Sequence, residues 1–423
     1  MQERPPQSPA PNRNVAENGS KEGFAADILV IDASMLAYKS YFGGDGNALR
    51  SENGHPTGIY IGFFNSIHRL KAEFNPRRIL VAMEGDNSWR HAFFPAYKTG
   101  RAEKPNDFKA QMKHLPRFCE AMGWSVLRAE GYEADDMLAS CAVQASRRGL
   151  NTIVYTHDKD MFCLMGDNKI RILQTQGRDS FFVDEKTVIE KFGVPPELVS
   201  EVLTLAGDTG DKIPGVPCIG PTSAAELILE HKSADAVMAL LTARFEESKL
   251  KMAQPREPLK RGKSDEDIAA KHEITVQQLR DAWILAGRDK IGVPGIGILG
   301  EVKAIKMVRE FGTADAAFKN IKDNFELSKK LVKLHTEAVI PDEYFTQPKG
   351  PDRAEALRIL EKISANAAIQ KFHRLYPENG GAPEVDRIPP KEPAKPPVGM
   401  PAPPEPSARV LKPDPEPTQM LLF

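Results

Sequence analysis

A scattered set of acids falls at positions where carboxylates could work together. Asp32 closes the apolar run Ile28-Leu-Val-Ile31, and Glu84 and Asp86 follow the run ending at Met83. Glu133, Asp135 and Asp136 lie in Glu-Ala-Asp-Asp after Tyr132, Asp158 and Asp160 flank Lys159, and Asp208 and Asp211 bracket a turn before a glycine loop. Carboxylates packed closely cannot all stay ionised without cations, because repulsion raises their pKa values. Oxygen donors of this kind suit Mg²⁺ or Mn²⁺. Two such ions about 3.5–4 Å apart would clamp a phosphodiester, one activating water and one steadying the leaving oxygen. A lone Asp-Lys-Asp or Asp-Asp is more often a cap or a solvated charge. The set as a whole, at these places, favours the metal reading.

The elements that must position these acids are short apolar runs alternating with helical stretches. Runs at 28–32, 78–83, 125–128, 152–156 and 169–173 are separated by stretches such as Gly58–Glu73 and Ala134–Arg148. That alternation predicts an α/β fold, a parallel twisted sheet with helices on both faces. Functional groups in such sheets gather at the carboxyl ends of the strands. Residues 133 and 136 share one helix face and can project into the same crevice.

A helical region begins near Val183 and contains an internal repeat. Lys191–Gly207 lines up with Lys271–Gly287 at an offset of 80, and Ser233-Ala-Asp-Ala236 with Thr313-Ala-Asp-Ala316. Between them, Asp211–Gly220 matches Asp289–Gly297, ten residues against nine, through the shared strings Asp-Lys-Ile and Val-Pro-x-Ile-Gly, and the second string aligns Gly295 with Cys218. One supersecondary unit therefore occurs twice, at about 183–240 and 263–320. Ser264–Trp283 alone could pass for a helix-turn-helix, but duplication explains it better. Phe325–His335 and Arg353–Leu375 read as amphipathic helices.

Composition sets limits. The chain has 423 residues, 41% apolar and 27% charged, with net charge −1 and four cysteines lacking any CxxC spacing. That spacing disfavours a disulfide framework and a thiolate zinc site and fits a reducing cytoplasm. No apolar run reaches 18 residues, so no membrane span is expected. Fourteen of the 34 prolines lie between Pro377 and Pro417, which marks a linker-like tail. Near-zero net charge does not exclude nucleic acid, because residues 90–117 carry seven Lys and Arg against two acids. The expected organisation is a disordered N-terminal tail at 1–24 and a nuclease-like domain at 25–182 with a basic helical arch at about 90–117. A first helix-hairpin unit spans 183–262, a second unit with closing helices 263–376, and a Pro-rich tail 377–423.

Five motifs together carry a resemblance: Val30-Ile-Asp32, Tyr97-Lys-Thr-Gly-Arg101, Gly131-Tyr-Glu-Ala-Asp-Asp136, Thr156-His-Asp-Lys-Asp160 and Gly207-Asp-Thr-Gly-Asp-Lys-Ile-Pro-Gly215. The chain resembles the 5′→3′ exonuclease domain of bacterial DNA polymerase I and its stand-alone bacterial and phage relatives, the flap endonuclease superfamily, from about Ile28 to Leu375. The resemblance implies a PIN-like sheet followed by helix-hairpin DNA-binding elements. It implies metal ligation by Asp32, Glu133, Asp135, Asp136, Asp158, Asp160, Asp208 and Asp211. At the second strand the family has Asp, with an Arg seven residues on. Here Arg90 is six residues after Glu84 and four after Asp86, so either acid could serve, and Glu84 at the strand end is preferred. His157 stands where the family commonly has Gly.

The same resemblance implies that Lys98 and Arg101, with Tyr97, bind the scissile phosphate and stabilise its charge. Arg90 and Lys104 would contact DNA from the arch, and aromatic residues there could stack on unpaired bases. Tyr97 is expected to work at the site, and Phe93 and Phe94 to lie in the core. Gly215 and Gly220 in the first unit, and Gly292, Gly295 and Gly297 in the second, would cradle duplex phosphates at helix N-termini, with K⁺ held by loop carbonyls. The first unit completes the acid site. The second, with Arg288 and only Asp289, extends the duplex footprint or is a folded spacer.

Gln419-Met-Leu-Leu-Phe423 resembles the bacterial sliding-clamp-binding peptide, with Gln419, Met420, Leu422 and Phe423 as anchors. The expectation is a monomeric, cytoplasmic, Mg²⁺-dependent 5′→3′ exonuclease and flap endonuclease on DNA, and on RNA primers, with no polymerase domain following. Two rivals are a non-catalytic, clamp-recruited binder of DNA structures and a PIN-type ribonuclease. The dense acids argue against a pure phosphate binder, and the glycine-loop repeat against the ribonuclease.

Overall fold

The computed structural model describes residues 24–177, 179–254 and 264–378. The tail segments, including Gln419–Phe423, lie outside the described residues. The first part runs β1 (Ile28–Asp32), α1 (Ala33–Phe42), α2 (Gly58–Phe74), β2 (Arg78–Ala82), α3 (Trp89–Phe93), α4 (Asn106–Ala121), β3 (Ser125–Leu127), α5 (Ala134–Arg147), β4 (Thr152–Tyr155), β5 (Ile170–Gln176) and β6 (Asp179–Phe182). The six strands lie in the order β3-β2-β1-β4-β5-β6, with the first five parallel. β6 pairs antiparallel with β5, so the sheet is mixed at one edge and not purely parallel as expected. Its sequence Asp-Ser-Phe-Phe is too short and polar to stand out.

β1 and β4 are buried on both faces, as central parallel strands must be. Leu29, Ile31, Val81, Ile153 and Tyr155 pack toward α1, α2 and α4. Ile28, Val30, Leu80, Ala82 and Val154 pack toward α5 and continue into the helical part. The strand ends that carry Asp32, Glu84 and Asp158 therefore emerge side by side.

The helical part comprises α6 (Glu185–Phe192), α7 (Val199–Ala206), α8 (Pro221–His231) and α9 (Ala234–Ala253), then α10 (Asp265–Lys271), α11 (Val276–Ala286), α12 (Glu301–Phe311) and α13 (Ala314–Val332). α6, α8, α9 and their counterparts begin 80 residues apart. The two units embrace: α13 packs on α7, and α9 on α11. Phe245 and Phe318 stack between the long helices, with centroids 4.1 Å apart. Glu201 accepts from the first amide of α9 at 2.7 Å, and its counterpart Asp281 bonds the amide of Ala314. The duplication thus gives a quasi-two-fold pair.

After α13 the chain runs extended back across α5, then forms α14 (Glu343–Thr346), α15 (Arg353–Lys362) and α16 (Asn366–Leu375). The stretch expected to be helical at 325–335 is the end of α13 and stops at Val332. The 353–375 stretch breaks at Ser364, whose φ is +54°. Ala356, Leu360 and Phe372 sit in the core on the α1 and α2 face of the sheet, so these closing helices do not pack with the second unit as grouped above. Among the described residues no helix is long and apolar enough to cross a membrane.

Candidate active site

The acids reach the site by different local devices. Asp32 caps α1, accepting from the Met35 amide, and also accepts from Thr156 Oγ1, both at 3.0 Å. Glu84 follows β2 and accepts from the Ala134 amide at 3.3 Å, so it leans toward α5. Asp86 turns away, exposed, to Arg128 at 2.8 Å, and Glu84 rather than Asp86 stands beside the cluster. Glu133 caps α5 and brings Asp135 into its first turn. Asp158 follows β4 and accepts from the Asp160 amide at 2.8 Å. His157 accepts from the Thr175 amide at 3.2 Å, tying this loop to β5.

Asp32, Asp135, Asp158 and Asp160 form no ion pair with a basic side chain among the described residues. Burial, opposed by the Met35 amide and reinforced by the charges of Asp158 and Glu84, raises Asp32 to about 6. Burial and neighbouring carboxylates hold Asp135 and Asp160 well above their ordinary range, and burial raises Asp158. Asp160 Oδ1 is buried with no hydrogen-bond partner. Among the described residues no three acids converge closely enough to ligate an ion as they stand. Their donor type, mutual repulsion and orphaned oxygen nevertheless fit hard divalent cations.

The other acids are neutralised from within the chain. Glu133 accepts from Ser88 Oγ at 2.7 Å, Lys98 Nζ at 2.9 Å and Tyr97 Oη at 3.1 Å. Burial pushes its carboxyl up, but Lys98, Ser88 and Arg90 together hold it low. Asp211 pairs with Arg101, and Lys98 Nζ lies 3.9 Å from its other oxygen. Asp208 pairs with Lys159. Burial pushes Asp208 up, and the Lys159 hydrogen bond and charge hold it below its usual range. The first helix-hairpin unit thus meets the sheet through Asp208 and Asp211.

Four expectations require correction. Asp136 faces away from the acid cluster. It is fully buried and takes a bidentate bond from Arg90, at 2.7 and 2.9 Å, plus the His335 amide at 3.0 Å. It belongs to a structural ion pair, so it is not placed to ligate a metal. Arg90 is 2% exposed and is accordingly out of reach of DNA. Burial opposes its charge, yet Asp136 holds its pKa above the ordinary value. Tyr97 is 3% exposed, a core residue that steadies Glu133 and offers no face for a base. Conversely Phe93, expected in the core, is exposed beneath Lys330.

Lys98 sits in the left-handed region at φ +53°, a conformation that costs about 1–3 kcal/mol for a non-glycine residue. Its amide donates to the Asp211 carbonyl at 3.0 Å, so the first unit fixes the strained residue. Lys104 is exposed, over the Phe108 ring.

In the glycine loops, the bridges Asp208–Ile213 and Arg288–Val293 place the copies in register at offset 80 throughout. Gly295 therefore matches Gly215, not Cys218. Both have φ near +65°, and at both a Cβ would collide with the preceding helix end, Ala206 or Ala286. Asp211 corresponds to Ile291, not Asp289. Gly220 caps α8 and Gly292 ends the turn at 289–291. Gly297 is covered by Arg244 of α9.

The fold and the strand-end acids define an α/β domain with an acidic site, joined to a duplicated helical region. Comparison with known sequences agrees. Residues 27–193 match the 5′-3′ exonuclease N-terminal resolvase-like domain and residues 194–271 the 5′-3′ exonuclease C-terminal SAM fold. A "5′-3′ exonuclease" of Buchnera aphidicola subsp. Schizaphis graminum is 33% identical over 203 residues, 48% of this chain and 69% of that protein. The chain belongs to the 5′-3′ exonuclease family. DNA polymerase I of Chloroflexus aurantiacus is 33% identical over 221 residues, 51% of this chain and 23% of the polymerase. The matched region thus spans about a quarter of such polymerases. Among solved structures, the phage T5 D15 protein co-crystallised with metal ions is a distant neighbour at 18% identity and TM-score 0.42, covering 71% of this chain and 99% of that one. The catalytic core of Rad2 with DNA substrate is another, at 15% and 0.42, covering 84% and 93%.

Proposed function

We propose that this chain is a divalent-metal-dependent 5′→3′ exonuclease and flap endonuclease acting on 5′-ended or branched DNA, and on RNA primers. The observation that carries the reading is the uncompensated carboxylate group at the strand ends and the first turn of α5, Asp32, Asp135, Asp158 and Asp160, beside the strained Lys98. With Glu84, these residues would hold Mg²⁺ or Mn²⁺. The bound ions would supply an activated water and stabilise the leaving oxygen.

The chain's own part is positioning and charge. Lys98 and Arg101 sit at the seam between sheet and first unit, paired with Glu133 and Asp211 until a phosphate competes for them. Their donors then stabilise the charge that develops on phosphate oxygens. Glu133, held by Ser88 and Tyr97, keeps Lys98 oriented. The exposed Lys104 and the loops at Gly215 and Gly220 would bind backbone, with K⁺ among the loop carbonyls. Arg244 over Gly297 makes the second loop a less open cradle. The Gln419–Phe423 segment supports recruitment by a sliding clamp of a monomeric cytoplasmic enzyme.

The test is cleavage of a labelled 5′-flap DNA in Mg²⁺, with EDTA and Asp135→Ala as controls. Metal-dependent cutting near the junction that the variant lacks is expected. Intact binding without cutting by the wild-type chain would sink the enzyme reading in favour of a structure binder.

A further inference from the structure

The segment that follows the second unit, Lys333–Ala338, is neither helix nor strand, yet it is stapled along the helix that carries the site. Ser140 Oγ donates to the His335 carbonyl at 3.0 Å and accepts from the Ala338 amide at 3.1 Å. Gln144 Nε2 donates to the carbonyls of Thr336 and Ala338 at 3.2 and 2.8 Å. At its upstream end the segment meets the buried ion pair. Arg90 Nε donates to the Leu331 carbonyl and Nη2 to the Lys333 carbonyl, both at 3.0 Å, and the His335 amide donates to Asp136 Oδ1. Asp136 in turn accepts from the Glu133 amide at 3.3 Å, closing the first turn of α5. The His335 ring packs edge-on against Trp89, at the start of the basic segment.

We propose that Lys333–Ala338 is a positioning strap, through which the second helix-hairpin unit holds the first turn of α5 so that Glu133 and Asp135 keep their places. The matched family domains end at residue 271, so the strap lies beyond them. α13 delivers it: Leu331 and Val332 are the last buried turn of that helix. A buried carboxylate with its hydrogen bonds satisfied on every side has one orientation, and its neighbours along the turn inherit it. The second unit, which brings no acid to the site, thereby acts on it at a distance. That the site is catalytic rests on the function proposed above; that the strap fixes α5 does not.

The strap is tested in the full chain with two sets of variants. Ser140→Ala/Gln144→Ala removes the staples without touching the acids. The expected result is faster amide exchange at the first turn of α5, Mn²⁺ affinity in calorimetry weakened at least about fivefold, and kcat on a 5′ flap lowered about tenfold with KM changed less than about twofold. His335→Pro and His335→Ala form the second set. Both lose the ring, but only the proline lacks the amide that reaches Asp136, so His335→Pro should bind Mn²⁺ several-fold more weakly than His335→Ala. Wild-type Mn²⁺ affinity in the double variant while strap exchange rises, or equal affinity for the two His335 variants, overturns the proposal. If the wild-type chain binds Mn²⁺ but cuts no flap, the nuclease reading fails while these comparisons still decide the strap.

Discussion

The two helix-hairpin units share one construction and differ where chemistry would happen. Each has a glycine at φ near +65° against the end of the preceding helix, a bridged turn, and an acid bonding the first turn of its long helix. In the first unit the turn carries Asp208 and Asp211, which meet Lys159 and Arg101 across the seam with the sheet. In the second, the residue matching Asp208 is Arg288. It stacks over Trp283 and lies 3.6 Å from Glu301. Glu301 also accepts from Trp283 Nε1, so this acid at the start of α12 is turned back onto its own unit. The backbone scaffold was kept through duplication while the side chains that face the sheet were replaced. Scaffold and site are thus separable in this fold.

The largest consequence concerns activity. Asp211→Ala should lower kcat on a 5′ flap on the order of 10²–10³-fold, because it frees Arg101 and the strained Lys98 from their common partner. Arg288→Ala should stay within about threefold. Comparable losses in single-turnover cleavage would break the distinction between the units. The shared scaffold predicts the opposite pattern for stability. Gly215→Ala and Gly295→Ala should each cost about 2 kcal/mol or more, since both the left-handed backbone and the space are denied to a side chain. Urea unfolding that shows a much smaller cost for one of them would mean the loops are not equivalent.

Much of this was legible in the sequence, for a physical reason. Strand-end acids follow apolar runs whose period is local, so Asp32, Glu84 and Asp158 could be placed without knowing the fold. The role of Asp136 could not, because its partner Arg90 lies 46 residues away and the carbonyls that complete the pair lie at Leu331 and Lys333. Spacing put it on the helix face of Glu133, and the family resemblance assigned it with Glu133 and Asp135 to the metals. The repeat was visible, but the string Asp-Lys-Ile at 211 and 289 drew the alignment two residues off register. The bridge pairs that correct it are contacts, not letters. The strap has no motif at all. It is made of main-chain groups, held by the side chains of Asp136, Ser140 and Gln144 on α5 and of Arg90.

The exposed face of α12 offers a finer test of the difference. Lys303 and Lys306 are exposed and unpaired among the described residues, where the first unit has Ser223 and Glu226. If the second unit touches duplex backbone, Lys303→Gln/Lys306→Gln should reduce the slope of log affinity against log salt by about 2 for a duplex-bearing flap. Cleavage per bound complex should be unchanged. An unaltered slope would leave the second unit as support for the strap alone.

The smallest effect concerns the matched pair Glu201 and Asp281. Both serve the first turn of their unit's long helix, but burial raises the Asp281 pKa, against the hydrogen bonds from Gln277 and Ala314. An acid with a raised folded pKa contributes stability below its unfolded value and loses it as pH rises through the folded one. The ionised form of Asp281 is thus a small burden to the second unit at neutral pH. Asp281→Asn keeps the acceptor and removes the charge, so it should raise Tm by a degree or two at pH 8 and change nothing at pH 3. Glu201 is only half-buried where Asp281 is buried, so Glu201→Gln should show a smaller gain. A gain of equal size in both variants would mean the units differ in their turns but not in how their long helices are anchored.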